Sequence, residues 1–149
     1  MRSHRRVVGL LVLLAGIVCS AAAVEHFYCR YCGVRRESVQ SLTSGFCLRH
    51  PDGPNRGRHA LYQGREKSRY TCVFCGVKRA DIATLTSGFC LRHPAGPNKE
   101  RHVPYRGDEK AQYTCVFCGV KRADIATLTA GFCLRHPAGP NKGRHEPAL

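Results

Sequence analysis

The sequence has no tryptophan and only one methionine among 149 residues, and 8% of its residues are aromatic. So few large apolar side chains exclude an extensive hydrophobic core. Acidic residues are also scarce, with 10 Asp and Glu against 24 Lys and Arg, and the formal net charge is +14. Such a charge favours polyanionic partners, namely nucleic acid, acidic polysaccharide or lipid headgroups, although a soluble basic protein without a polyanion would have the same composition.

The longest apolar run is too short to span a bilayer. It covers residues 7–18, follows Arg5 and Arg6, and precedes small residues that end at Ala23. A membrane-spanning helix needs about 17–25 apolar residues, so the pattern predicts a secretory signal peptide at residues 1–23 and a secreted or periplasmic protein. The alternatives are a membrane anchor, or an intracellular protein with a misleading N-terminus. Cleavage would lower the net charge to about +11, because the leader contains three arginines and no acids.

The remainder of the chain is an internal repeat with a period of 43 residues. The predicted units cover 27–59, 70–102 and 113–145, separated by charged linkers at 60–69 and 103–112 and followed by a tail at 146–149. The second and third units are nearly identical, which indicates recent duplication, so the diverged first unit is the informative comparison. A unit of this size needs a metal ion or disulfides to hold it together.

Each unit contains the pattern C-x2-C-x14-C-x2-H, which favours a structural zinc site. Three cysteines cannot all pair within one unit, whereas three thiolates and one imidazole complete a tetrahedral zinc site. We therefore predict three zinc ions per chain rather than disulfides or redox-active cysteine pairs. The predicted ligands are Cys29, Cys32, Cys47, His50, Cys72, Cys75, Cys90, His93, Cys115, Cys118, Cys133 and His136.

A second histidine in each unit is an alternative fourth ligand. It lies nine residues after the first, beyond a loop rich in proline and glycine. We favour the nearer histidine, because the loop would have to fold back to deliver the farther one. The alternative ligands are His59, His102 and His145.

The local pattern predicts a small metal-stabilised α+β unit, made of a β-hairpin knuckle and a short helix. Residues 70–77 have the aromatic and β-branched content of a strand that turns through the first cysteine pair. Asp81 is a good N-cap, and Gly88 stands where a left-handed helix end is expected; Ser38, Asp124, Gly45 and Gly131 are the equivalents. Phe89 and its equivalents, with Phe74, are expected in the small core.

The unit resembles a two-cysteine, two-histidine ββα zinc finger. The resemblance rests on the C-x-x-C knuckle, on the leucine ten residues later, and on two further ligands; these leucines are Leu42, Leu85 and Leu128. Arg79 replaces the expected aromatic residue, and the third ligand is cysteine. The ending HPAGPNKGRHEPAL is also similar to small, uncharacterised tandem Cys/His repeat proteins. These resemblances imply zinc binding and no particular partner.

The repeated chemistry predicts binding rather than catalysis. Four ligands leave no open metal position for water, and no serine or acid pair with a base recurs, so we expect no enzyme and no small-molecule substrate. We predict a monomeric, non-enzymatic exported module for an anionic partner or a protein. The alternative is an intracellular nucleic-acid-binding zinc-finger protein, although the short helix disfavours major-groove recognition. The candidate basic contacts are Arg35, Arg36, Lys78, Arg79, Lys121 and Arg122, with Arg49, Arg92 and Arg135.

Overall fold

The computed structural model describes residues 25–149, so the predicted signal peptide lies outside the described residues. Each unit has a two-stranded antiparallel hairpin followed by a short helix. The elements are β1 (Phe27–Tyr28), β2 (Arg35–Arg36), α1 (Val39–Ser44), β3 (Tyr70–Thr71), β4 (Lys78–Arg79), α2 (Ile82–Ser87), β5 (Tyr113–Thr114), β6 (Lys121–Arg122) and α3 (Ile125–Leu128). None of the helices in this range is long and apolar enough to cross a membrane. The predicted small α+β repeat is therefore confirmed.

The hairpin turns through the first cysteine pair, as the sequence predicts. In unit 2, Tyr70 pairs with Arg79, and the amide of Cys72 donates to the carbonyl of Val77 at 2.8 Å. Gly76 closes the turn with a φ of +74°, and its amide donates to the carbonyl of Cys72 at 2.9 Å. A side chain is disfavoured at this φ, which explains why glycine follows the second cysteine.

Each helix begins at the predicted cap. The Asp81 side chain accepts a hydrogen bond from the Thr84 amide at 2.6 Å, and Ser38 and Asp124 cap α1 and α3 in the same way. Within α2, Ile82 and Leu85 are buried and face the core of the unit. The cap satisfies backbone donors that so short a helix would otherwise leave to water.

The helix end differs from the prediction. Gly88 has a φ of −91° and a ψ of 161°, which is extended backbone rather than the left-handed conformation. A Cβ atom at this position would lie 3.3 Å from Cδ2 of His102. The glycine therefore makes room for a histidine from the far end of the loop. Gly45 has the same extended backbone, and both Gly45 and Gly131 lie against their own far histidines.

A third segment lies along each hairpin and includes the start of the predicted linker. Val73 donates its amide to Val103 at 2.9 Å, and Tyr105 donates its amide to Thr71 at 2.8 Å. Residues 60–62 and 146–148 occupy the same place in units 1 and 3. The first residues of each predicted linker thus belong to the unit that precedes them.

The aromatic core residues are tyrosines rather than the predicted Phe89. Tyr62 and Tyr70 are 5% and 3% exposed in the core of unit 2, whereas Phe89 is 50% exposed. Successive side chains of an extended segment point to opposite sides, and here Cys90 takes the inward position. Phe89 lies instead under the guanidinium of Arg101, whose carbon is 4.8 Å from the ring centroid. Phe46 and Phe132 are exposed in the same way.

The units are stacked by residues that enter the neighbouring core. Tyr62 belongs by sequence to unit 1 but packs in unit 2, and Tyr105 packs in unit 3. The Tyr62 hydroxyl donates to the carbonyl of Tyr105 at 2.8 Å. The two linkers also contact each other, since Arg106 donates to Gln63 at 2.7 Å. The linkers are therefore not the wholly solvated segments that their composition suggests.

Candidate metal centres

The structure gathers three cysteines and one histidine in every unit. The four candidate ligand atoms of each group lie within 4.8 Å of one another. The groups are Cys29, Cys32, Cys47 and His59; Cys72, Cys75, Cys90 and His102; and Cys115, Cys118, Cys133 and His145. Each group could hold a metal ion, so the prediction of three tandem Cys/His sites is confirmed at the level of geometry.

The spacing within a group fits a tetrahedral ion. The sulfurs of Cys72 and Cys90 are 3.9 Å apart, and the sulfur of Cys75 is 3.4 Å from Nδ1 of His102. Bonds of about 2.3 Å from zinc to sulfur and about 2.0 Å to nitrogen give tetrahedral edges of roughly 3.8 and 3.5 Å. A disulfide requires sulfurs about 2.05 Å apart. All nine cysteines of the described chain are accordingly free thiols.

Three local structures deliver the ligands of unit 2. The knuckle supplies Cys72 and Cys75, and the segment after α2 supplies Cys90. The loop then folds back, with Asn98 in the left-handed region at a φ of 56° and its amide donating to the carbonyl of Cys90 at 3.1 Å. The His102 amide donates to the carbonyl of Gly88 at 3.1 Å and sets the histidine beside the thiols.

The favoured nearer histidines lie outside the three groups. His93 packs edge to face on Phe74, with ring centroids 4.7 Å apart, and its Nδ1 accepts from the Ala95 amide at 3.2 Å. The preference for the nearer histidine is thus corrected, because the loop bends enough to bring the farther one in. His50 and His136 make the same contacts with Tyr31 and Phe117. These histidines support the knuckle and the loop that follows the third cysteine.

In unit 1, burial shifts the pKa values of the Cys3His group away from the thiolate and imidazolium forms. Burial raises the pKa of Cys32, and it raises the pKa of Cys47 to about 12. Burial also lowers the pKa of His59, with a smaller contribution from Arg36, which favours the neutral imidazole that binds metals. Three thiolates and one divalent ion carry a net charge of −1, so a metal ion offsets most of the cost of burying the thiolates.

The ligand set has the composition of a structural site. Cys72 and Cys90 are 0% exposed, and three sulfurs with one nitrogen already fill a tetrahedron. A catalytic zinc site keeps one position open for water or substrate. The residues present therefore fit an ion that holds the fold.

The arginines beside the third cysteine have a role that the sequence did not reveal. Arg49 donates to the carbonyl of Ala83 at 2.6 Å and to Oγ1 of Thr86 at 3.1 Å. Arg92 makes the equivalent bonds to α3, whereas Arg135 is exposed. Two of these three candidate basic contacts are thus used between units. The period of 43 residues was the available signal, since Arg49 and Arg92 lie at the same distance from the helix that follows each of them.

The predicted basic pairs remain on the surface. The two residues of each pair form the second strand of the hairpin, and both are exposed in every unit. Lys78 also makes an ion pair with Glu109 of the second linker at 2.9 Å. The pairs are Arg35 and Arg36, Lys78 and Arg79, and Lys121 and Arg122.

The chain matches no known protein family, no curated protein and no solved structure. The assignment to zinc-binding repeats therefore rests on the three Cys3His groups themselves.

Proposed function

We propose that the chain is an exported, non-enzymatic zinc-binding repeat protein whose metal ions hold its fold and whose basic strands bind an anionic polymer. The observation that carries the proposal is the group of three thiols and one imidazole at tetrahedral spacing in every unit. Soft thiolates with imidazole in a tetrahedron favour zinc over magnesium or calcium. Zinc binding then supplies folding free energy that the small core lacks.

The metal is tested on the purified native protein. We expect three zinc ions per chain by mass spectrometry under native conditions, and loss of the folded circular dichroism spectrum when a chelator removes them. After denaturation in chelator without reductant, nine free thiols should react with a thiol reagent, because the proposed protein contains no disulfides. A chain that purifies without metal and remains folded in chelator would contradict the proposal.

The polymer-binding surface is the second strand of each hairpin. One basic pair stands at the same place in each unit, and the hairpins are held in one stack by Tyr62 and Tyr105. A repeated cationic site on a stack suits a polymer with regularly spaced anionic groups, and each contact would release counterions. Binding should therefore weaken as salt increases.

Charge reversal on the strands tests this surface. We expect the triple variant Arg36→Glu, Arg79→Glu and Arg122→Glu to bind heparin and single-stranded DNA at least about tenfold more weakly at low salt, with a shallower salt dependence. The matched control reverses three exposed loop residues, Arg56, Lys99 and Lys142, and so changes the net charge equally. Equal losses in both variants would assign the affinity to net charge alone and contradict the strand surface.

Export is a separate part of the proposal and rests on the apolar run at residues 7–18. We expect the protein recovered from its natural host to begin near residue 24. An intact N-terminus on a cytosolic protein would instead favour the nucleic-acid-binding alternative.

A further inference from the structure

Two faces of each unit meet at the junctions within the chain. The knuckle face contains the glycine after the second cysteine and the arginine after the third. The helix face contains the second residue of the helix and the residue three positions after it. In units 1, 2 and 3, respectively, the knuckle faces are Gly33 and Arg49, Gly76 and Arg92, and Gly119 and Arg135. The helix faces, in the same order, are Gln40 and Thr43, Ala83 and Thr86, and Ala126 and Thr129.

Both internal junctions join a knuckle face to the next helix face in the same way. Gly76 lies so close to Ala126 that a Cβ atom on the glycine would overlap the helix backbone, and Gly33 meets Ala83 equally closely. Arg92 donates to the carbonyl of Ala126 at 2.7 Å and to Oγ1 of Thr129 at 3.2 Å. This repeats the bonds of Arg49 across the first junction.

The same two faces are open at the ends of the described stack. A Cβ atom on Gly119 would meet no atom of the described chain within 4 Å, although its φ of +74° is the same as that of Gly76. Arg135 is exposed, and so is Val116 in the knuckle of the same unit, at 57%. Next to the helix face of unit 1, at the first residue of α1, Val39 is 39% exposed, whereas its counterpart Ile82 is 2% exposed.

We propose that the chains associate head to tail, with the knuckle face of unit 3 docking on the helix face of unit 1 in a second copy. Arg135 would then donate to the backbone carbonyl of Gln40 and to the hydroxyl of Thr43. Thr43 keeps the hydroxyl that Thr86 and Thr129 provide at the internal junctions, and a carbonyl acceptor does not depend on its side chain. Gly119 leaves the space that the helix backbone fills at both internal junctions.

The open faces differ in sequence from the faces at the internal junctions, and this difference weakens the contact between chains. Ala148 stands where Tyr62 and Tyr105 enter the next core, so the contact between chains lacks that aromatic anchor. The chains also carry the same positive charge and repel one another. Association should therefore be reversible, weaker than the internal junctions, and stronger when salt screens the repulsion. Polymer binding has the opposite salt dependence, so the two effects can be distinguished by experiment. The contact between chains also uses other residues than the basic strands, so this inference does not rest on the polymer-binding surface.

A head-to-tail contact joins two different surfaces, and this property gives a sharp test. Arg135→Ala removes the donor on the knuckle face and leaves the helix face intact. Thr43→Lys places a like charge opposite Arg135 and leaves the knuckle face intact. We expect each variant alone to be monomeric, with association weakened more than about tenfold. An equimolar mixture of the two should form one-to-one dimers that do not grow further.

The measurement is sedimentation of the zinc-loaded, naturally processed protein over a wide range of concentrations, at low and high salt. The wild type should increase in mass with concentration, and more so at high salt. Zinc content and circular dichroism confirm that each variant is folded. The control Lys142→Ala removes the same charge as Arg135→Ala from an exposed loop residue outside both faces, and it should associate like the wild type. A wild type that stays monomeric, a variant that associates normally, or a mixture that stays monomeric would overturn the proposal.

Discussion

Unit 2 and unit 1 have the same ligand pattern but different surroundings. Unit 2 has a neighbour on each side, and its buried core includes Tyr62, Tyr70, Ile82 and Leu85. In unit 1, the buried core residues are Leu42 and two cysteines. The difference shows that much of the apolar burial comes from stacking, whereas unit 1 has the same Cys3His group with a smaller buried core.

Stability in such an array is approximately a sum of unit terms and junction terms. In the proposed zinc-loaded form, the metal supplies the unit term, and the tyrosine, arginine and close glycine contacts supply the junction term. Unit 1 should therefore depend on its metal most strongly. Unfolding of unit 2 should destabilise both of the other units, because both of them contact it.

The largest expected effect comes from the ligand histidine of unit 2. We expect His102→Ala to reduce the zinc content from three ions to two and to unfold unit 2, which also removes the supports of units 1 and 3. Structural zinc supplies on the order of 10 kcal/mol of folding free energy in small domains. Zinc content and thermal unfolding would measure the loss.

The control for this prediction is His93→Ala, which replaces the other histidine of the same unit. His93 packs on Phe74 outside the metal group, so its loss should keep three zinc ions and cost about 0.5–1.5 kcal/mol. Retention of three ions in His102→Ala, with loss of one in His93→Ala, would reverse the ligand assignment.

Much of the unit could be predicted from the sequence, because its signals are local. The C-x-x-C turn, its glycine and the N-caps each act within a few residues, and the structure confirms them. The sequence also predicts the cysteine ligands, because an odd number of cysteines per unit excludes complete disulfide pairing. The period of 43 residues then fixed the number of sites.

The errors concern contacts made across a loop. The choice of histidine depends on how residues 94–101 bend, and the local sequence does not predict the left-handed Asn98 that reverses this segment. Gly88 ends α2 as predicted, but its backbone is extended rather than left-handed, and it lies against the ring of His102. The place of Tyr62 depended on the neighbouring unit, for which a 33-residue pattern contains no information. The repeat pattern identifies these residues, but it does not identify the residues that they contact.

The second effect in size concerns the tyrosine that joins units 1 and 2. Tyr62→Ala should reduce the free energy of unfolding by about 3–5 kcal/mol, because it leaves a cavity in the core of unit 2. Tyr62→Phe should cost about 0.5–1.5 kcal/mol, since only the hydrogen bond to Tyr105 is lost. Chemical denaturation of the zinc-loaded protein measures both. A loss below about 1 kcal/mol for Tyr62→Ala would show that stacking adds little to stability.

A smaller effect distinguishes the free-energy cost of disturbing the junction from the cost of the strained turn. Gly76→Ala and Gly119→Ala place the same methyl group at the same φ of +74°, so both pay the cost of that backbone conformation, about 1 kcal/mol. Only Gly76→Ala also pushes against a helix, at Ala126, and overpacking adds about 1–3 kcal/mol. The difference between their unfolding free energies measures the junction. Equal losses would mean that the units separate easily.

The smallest effect is expected at the ion pair between unit 2 and the second linker. The hydrogen bond from Lys78 holds the pKa of Glu109 below its ordinary value of 4.5, so the pair stabilises the fold above that pH and loses its contribution as the pH falls through the lowered pKa. Both side chains are about half exposed, so Glu109→Gln should cost about 1 kcal/mol or less at neutral pH. The cost should shrink further in high salt. A larger, salt-independent loss would show that the linker contributes to the unit 2 junction through more than charge.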